Sequence, residues 1–202
     1  MDFNYTKAEK MLQSSVREYM KKNIIPIADE YDRKGPMSKE DAVRFLKELH
    51  PFGYVGSMVP EEDGGPGLSY MEYSILGLEL RKAYASLGGI VGITSAVALM
   101  VAQSDNQMIK EKCLPGLLSG DKIGATAISE PDAGSDPSDM KTTAVLKGDH
   151  YVVNGVKMWI SNGSIADYIM LVCMDATNGE GRENIFRILV ERDVSPFEAN
   201  EI

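Results

Sequence analysis

Ile123-Gly124-Ala125-Thr126-Ala127-Ile128-Ser129-Glu130-Pro131-Asp132-Ala133-Gly134-Ser135-Asp136 is the stretch at which this sequence of 202 residues changes its period. A strand-like run over 123–129 enters a loop that turns at Ala133-Gly134-Ser135. Before about residue 120 the apolar positions repeat at helical spacing, and after it they fall into short β-branched or aromatic runs. Helices first and strands second, without alternation, predict an α+β chain. The expected architecture is an all-α helical bundle over residues 1–121, followed over 122–202 by an incomplete antiparallel, β-barrel-like domain.

Upstream, Thr6-Lys7-Ala8-Glu9 reads as a capping box, and Met11, Leu12, Val16, Tyr19 and Met20 follow at helical spacing. Pro26 is expected to kink or end that helix near Ile25. Ser38 opens a second helix, with Glu40 and Asp41 in its first turn and Val43, Leu46 and Leu49 as its inner stripe. Pro60-Glu61-Glu62-Asp63-Gly64-Gly65-Pro66-Gly67 reads as an ordered loop. Ser69-Tyr70-Met71-Glu72 is a second capping box and starts a third helix through about Tyr84. Ala83 to Ser104 carries no charge and is long enough to span a bilayer. Its glycines, with Ser86, Thr94, Ser95 and Gln103, keep it too polar for that, so a buried bundle helix is expected and no membrane span. A short helix from Asp105 to Cys113 is expected to stop at Pro115.

Downstream, Thr142–Leu146, Tyr151–Val153, Val156–Ile160, Tyr168–Met174 and Ile185–Val190 read as strands. Lys147-Gly148-Asp149-His150 and Asn154-Gly155 supply the first two turns, the latter as a hairpin signal.

Composition narrows the function. Hydrophobic residues are 44% and charged residues 25%, ordinary for a folded soluble chain. The formal charge of −9 argues against nucleic-acid binding, so an anionic ligand must be held by local devices such as backbone amides. Cys113 and Cys173 have neither metal-ligand nor disulfide spacing. The start Met1-Asp2-Phe3-Asn4-Tyr5 lacks a signal pattern, and a cytoplasmic location is expected.

Two segments of the β half carry the candidate chemistry. In the first, the Ala133-Gly134-Ser135 turn can converge backbone N–H groups and a hydroxyl on a phosphate or pyrophosphate, or it can be a solvated acidic turn. Glu130, Asp132, Asp136 and Asp139 do not make a calcium loop, because Pro131 and Pro137 interrupt them and the spacing fits no EF-hand; no metal is expected. In the second, Lys157-Met158-Trp159-Ile160-Ser161-Asn162-Gly163 holds the only tryptophan. Its indole can stack on a flat ligand with Ser161 offering a hydrogen bond, or it can be a core residue beside a turn.

Together, in their order and spacing, the segments resemble the acyl-CoA dehydrogenase family of flavoproteins. Ile128-Ser129-Glu130-Pro131-Asp132-Ala133-Gly134-Ser135-Asp136 is similar to the family signature, and Trp159-Ile160-Ser161-Asn162-Gly163 to its second flavin segment. Pro60–Gly65 and Leu114–Gly120 look like landmarks of its helical domain. Asp132, Thr126 and Asp139 depart from the residues usual there. The resemblance implies FAD as cofactor, an acyl-CoA thioester as substrate, homo-oligomerisation of the full-length protein, and an electron-transfer flavoprotein as acceptor. It implies that Thr126, Ile128 and Ser129 border the flavin ring. Gly134 and Ser135 then meet the pyrophosphate region, Ser135 also lies near the thioester, Trp159 packs on the isoalloxazine and Ser161 bonds near N5.

The family's catalytic base is a glutamate of a further, C-terminal helical domain, and family chains are roughly twice this long. None of Glu130, Glu180, Glu183, Glu191, Glu198 or Glu201 aligns with it, so the catalytic residue is expected to lie outside this chain. His50 and His150 flank turns and are expected at the surface. The resemblance therefore implies the N-terminal part of an FAD-dependent acyl-CoA dehydrogenase. The alternative is a non-catalytic flavin- or thioester-binding or assembly module.

Overall fold

The structure, a computed structural model, describes residues 4–177, 184–195 and 197–201. Glu180 and Glu183 lie outside the described residues. The chain divides into two compact units between Ile123 and Gly124.

The first unit is helical. α1 (Lys7–Tyr19) starts at a reciprocal cap: the Thr6 hydroxyl accepts from the Glu9 amide and the Glu9 carboxylate from the Thr6 amide. Pro26 does not end the helix. A π-helical turn over Met20–Ile24 precedes it, the Ile25 N–H bonding back to the Met20 carbonyl, and α2 (Ile25–Lys34) then continues with Pro26 in its first turn. Proline lacks the N–H that would continue the ladder, and the wider π turn directly ahead of it is where the helix absorbs that interruption.

α3 (Lys39–Leu49) is capped by Ser38 and buries Ala42, Phe45, Leu46 and Leu49. α4 (Tyr70–Ala83) begins at the Ser69–Glu72 capping box. It packs on α1, and its buried Glu79 receives two hydrogen bonds from the Arg17 guanidinium, at 2.7 and 2.9 Å, and one from Gln13. α5 (Ala85–Ala102) is long and apolar enough to cross a membrane, yet packs against α3, α4 and α6 and buries Leu87, Val91, Val97, Ala98 and Val101. Its Ser95 hydroxyl donates to the Tyr54 carbonyl and accepts from the Gly56 amide, tying the 54–67 loop to the helix. Gly65 is required in that loop, since a Cβ there would lie 2.2 Å from the Val59 carbonyl oxygen.

α6 (Gln107–Ser119) runs through Pro115 and ends instead at Gly120 in the left-handed region. Pro115 and Glu111, whose carbonyl loses its i+4 donor to the proline, are both exposed positions.

The second unit is a five-stranded sheet, mixed rather than antiparallel. β1 (Gly124–Ala127) and β2 (Thr143–Lys147) both run parallel to β4 (Tyr168–Asp175), along different halves of it. β3 (His150–Asn154) is antiparallel to β2, and β5 (Ile185–Glu191) to β4. Parallel pairing needs a long crossover, and the connection from β1 to β4 supplies one. β4 is accordingly buried almost throughout. Ala125 and Ala127 pack with Ala166 and Ile169 in the core, covered by Ile160, Leu171, Val190 and Phe197.

Gly148 makes the expected turn between β2 and β3, but Asn154-Gly155 makes no hairpin. The chain leaves β3 past Thr142, where a Cβ on Gly155 would come within 2.3 Å of the Thr142 hydroxyl. The segment Val156–Ile160 is not a strand. Its polar groups turn to the loop after β1, and Trp159 breaks the extended course at φ 60°.

Candidate functional site

The period-two alternation of β1 sends Ala125 and Ala127 into the core, so Thr126 and Ile128 share the other face. Thr126 is half-buried and Ile128 is exposed. Beyond the strand, Glu130 and Ala133 exchange backbone hydrogen bonds at 2.8 and 3.3 Å, closing a tight turn over buried Ala133. That turn presents Gly134 and Ser135 to solvent. Gly134 has no positive φ, and a Cβ on it would meet no heavy atom within 4 Å. Neither backbone conformation nor internal packing therefore asks for glycine at this position.

The second segment arches over the first. The Met158 amide donates to the Ser129 carbonyl at 2.9 Å, and the Lys157 ammonium to the Ile128 carbonyl at 2.9 Å. At the far end the Asn162 side-chain amide donates to the Gly124 carbonyl at 2.9 Å, and the Asn162 carbonyl accepts from Ile165 and Ala166. The arch is thus pinned to both ends of β1. Between the pins stands Trp159, 69% exposed and in the left-handed region, with Ser161 exposed beside it. A non-glycine residue at such a φ costs on the order of 1–3 kcal/mol and persists only where its surroundings over-determine it. Trp159 is therefore not the core residue that composition allowed. It is an aromatic face held open.

Glu130 is the second correction, because it is not part of a solvated acidic turn. Its side chain is 4% exposed and pairs at 2.8 Å with Lys157, itself 9% exposed. The carboxylate also accepts from the Lys141 amide at 2.6 Å and the Thr142 amide at 3.0 Å. Burial alone would push its pKa up, but these donors outweigh it and hold the group down at about 2. So committed a carboxylate is no proton acceptor. The other acidic groups of the loop are local: Asp132 pairs with Lys141 at the surface, and Asp136 accepts from the Ser138 amide and hydroxyl. Among the described residues no cluster of metal-ligating side chains occurs.

All seven site residues read from the sequence lie on the exposed side of the arch or on the β1 strand and loop beneath it: Thr126, Ile128, Ser129, Gly134, Ser135, Trp159 and Ser161. Sequence reasoning missed Lys157, Glu130 and Asn162 as the groups that join the two segments. A lysine between apolar Val156 and Met158 was the available signal, but its partner lies 27 positions away.

Comparison with known proteins identifies the family. Residues 6–121 match the family description "Acyl-CoA dehydrogenase, N-terminal domain", and residues 125–202 match "Acyl-CoA dehydrogenase, middle domain". The chain belongs to the acyl-CoA dehydrogenase family. It is 34% identical to the short-chain specific acyl-CoA dehydrogenase of Clostridium acetobutylicum, over 100% of this chain and 52% of that protein. Among solved acyl-CoA dehydrogenases, a glutaryl-CoA dehydrogenase from Mycobacterium smegmatis in complex with FADH2 matches with a TM-score of 0.84 and 26% identity. It covers 98% of this chain and 49% of the other. A glutaryl-coenzyme A dehydrogenase in complex with glutaryl-CoA matches with a TM-score of 0.84 and 32% identity, over 96% and 49%. The chain thus spans about half the length of the family members it matches.

Proposed function

We propose that this chain supplies the flavin-binding strand, loop and arch of an FAD-dependent acyl-CoA dehydrogenase, an oxidoreductase acting on the α,β bond of an acyl-CoA thioester. The observation that carries the reading is the pinning of an exposed, left-handed Trp159 above the Ile128–Ser135 loop. The residues fit the group: an open aromatic face, adjacent hydroxyls at Thr126, Ser129, Ser135 and Ser161, and an unfilled approach at Gly134. When bound, FAD would accept the hydride from the β-carbon.

This chain's residues orient and shield. Trp159 packs on the ring system, Ser161 and Ser129 hydrogen-bond its polar edge, and Thr126 and Ile128 border it. Gly134 and Ser135 meet the pyrophosphate, with Ser135 also toward the thioester. The net negative chain makes such local donors necessary for an anionic cofactor. The α-proton must go to a base, and Glu130 is committed to Lys157 and two amides. We place the base outside the described residues, with homo-oligomerisation and an electron-transfer flavoprotein acceptor as further parts of the proposal.

The test is dye-linked oxidation of short, branched and aromatic acyl-CoAs by the FAD-loaded chain. It is run alone and with the C-terminal half of a family member supplied in trans. Turnover only in the complemented sample supports the reading, since a positioned general base is typically worth ~10²–10⁴-fold. Robust turnover by the chain alone contradicts the placement of the base. Flavin binding without turnover in either sample favours a non-catalytic binding or assembly module.

A further inference from the structure

We propose that Lys157 and Glu130 form a positioning pair that fixes the Trp159 face for its ligand, an inference resting on the flavin reading above. Three observations lead to it. The pair is buried on both sides, and a buried ion pair is seldom worth more to stability than apolar residues of the same volume. Its burial therefore does not by itself argue a purely stabilising role.

Next, its hydrogen bonds run between separate segments of the chain rather than within either site segment. The Lys157 ammonium holds the Ile128 carbonyl and the Glu130 carboxylate, while that carboxylate holds the Lys141 and Thr142 amides. One cation therefore joins the arch to the end of β1, and one anion joins that junction to the start of β2. Finally, Lys157 stands two residues before Trp159, the strained position that needs outside restraint. The Met158 amide shares the anchor, and Asn162 secures the opposite end at Gly124. Without Lys157 one foot of the arch keeps a single backbone bond, and Trp159 can relax toward ordinary φ values.

Neither Lys157 nor Glu130 is assigned a contact with the flavin. Their effect passes through Trp159, which makes them positioning rather than catalytic residues. Because Trp159 is the only tryptophan, fluorescence excited at the red edge, beyond tyrosine absorption, reports on this position alone and needs no cofactor.

The experiment compares the 202-residue chain with Lys157→Met and Glu130→Gln. It measures the steady-state anisotropy of Trp159 without flavin, and FAD affinity by quenching of flavin fluorescence. The expected result is lower anisotropy in both variants and FAD affinity weakened about three- to tenfold, approaching the loss on removing a stacked aromatic. Parental anisotropy and parental FAD affinity in a folded variant would overturn the proposal. If Lys157→Met does not fold, Glu130→Gln decides by the same two readouts. If the parent binds no FAD, the flavin reading fails, while the anisotropy comparison still decides the positioning role.

Discussion

At the scale of single residues, Trp159 shows a conflict between folding and function. Its φ of 60° is unfavourable for a residue with a Cβ, and its exposed ring returns little burial to offset that. Trp159→Gly relieves the strain, whereas Trp159→Ala keeps it. The glycine variant should therefore exceed the alanine variant in stability by about 1 kcal/mol in urea unfolding, while both lose FAD affinity by up to about tenfold. Equal stability of the two variants would show that the turn is not strained.

Glu130 carries a separate, pH-dependent expectation. Its folded pKa of about 2 lies below the ordinary 4.5, so its contribution is present above about pH 4.5 and is lost as pH falls toward 2. A shift of that size corresponds to about 3 kcal/mol. Glu130→Gln should thus narrow the difference in unfolding free energy between about pH 6 and about pH 3, relative to the parent. An unchanged difference would mean that the carboxylate is not held as the geometry implies.

At the scale of elements, what the sequence could show depended on how local the deciding interaction was. The Thr6–Glu9 and Ser69–Glu72 boxes and the Ser38 cap are contacts over three residues, and all three were readable. The same local logic makes Pro26 a kink or an end of its helix and Pro115 a stop. One proved to be a first-turn proline behind a π turn, and the other an exposed interior proline. The strand expected at Val156–Ile160 failed for a non-local reason, because the carbonyls that capture Lys157 and Met158 belong to a loop nearly thirty residues earlier. Asn154-Gly155 misled similarly: its glycine answers to Thr142 rather than to a hairpin. Gly155→Ala should accordingly destabilise the β unit by about 1–3 kcal/mol, as overpacking does, measured by loss of the cooperative sheet transition. A hairpin glycine would instead tolerate asparagine, so a stable Gly155→Asn would contradict the close-approach reading.

At the scale of the whole molecule, the order of helical and strand-like halves was legible because the two hydrophobic periods differ and do not alternate. The sense of the sheet was not, since it depends on which strand β4 accepts on each half of its edge. The seven site residues were nameable through resemblance, but the pair that joins their segments became visible only with the fold. The central claim is that strand β1, its loop and the Trp159 arch form a flavin site within this chain. Titration of the 202-residue chain with FAD, followed by Trp159 emission, tests it most directly. The expected result is saturable quenching of Trp159 together with flavin retained on gel filtration. Trp159 emission that does not respond to FAD, or flavin retained without quenching, would contradict the assignment of this arch to the cofactor.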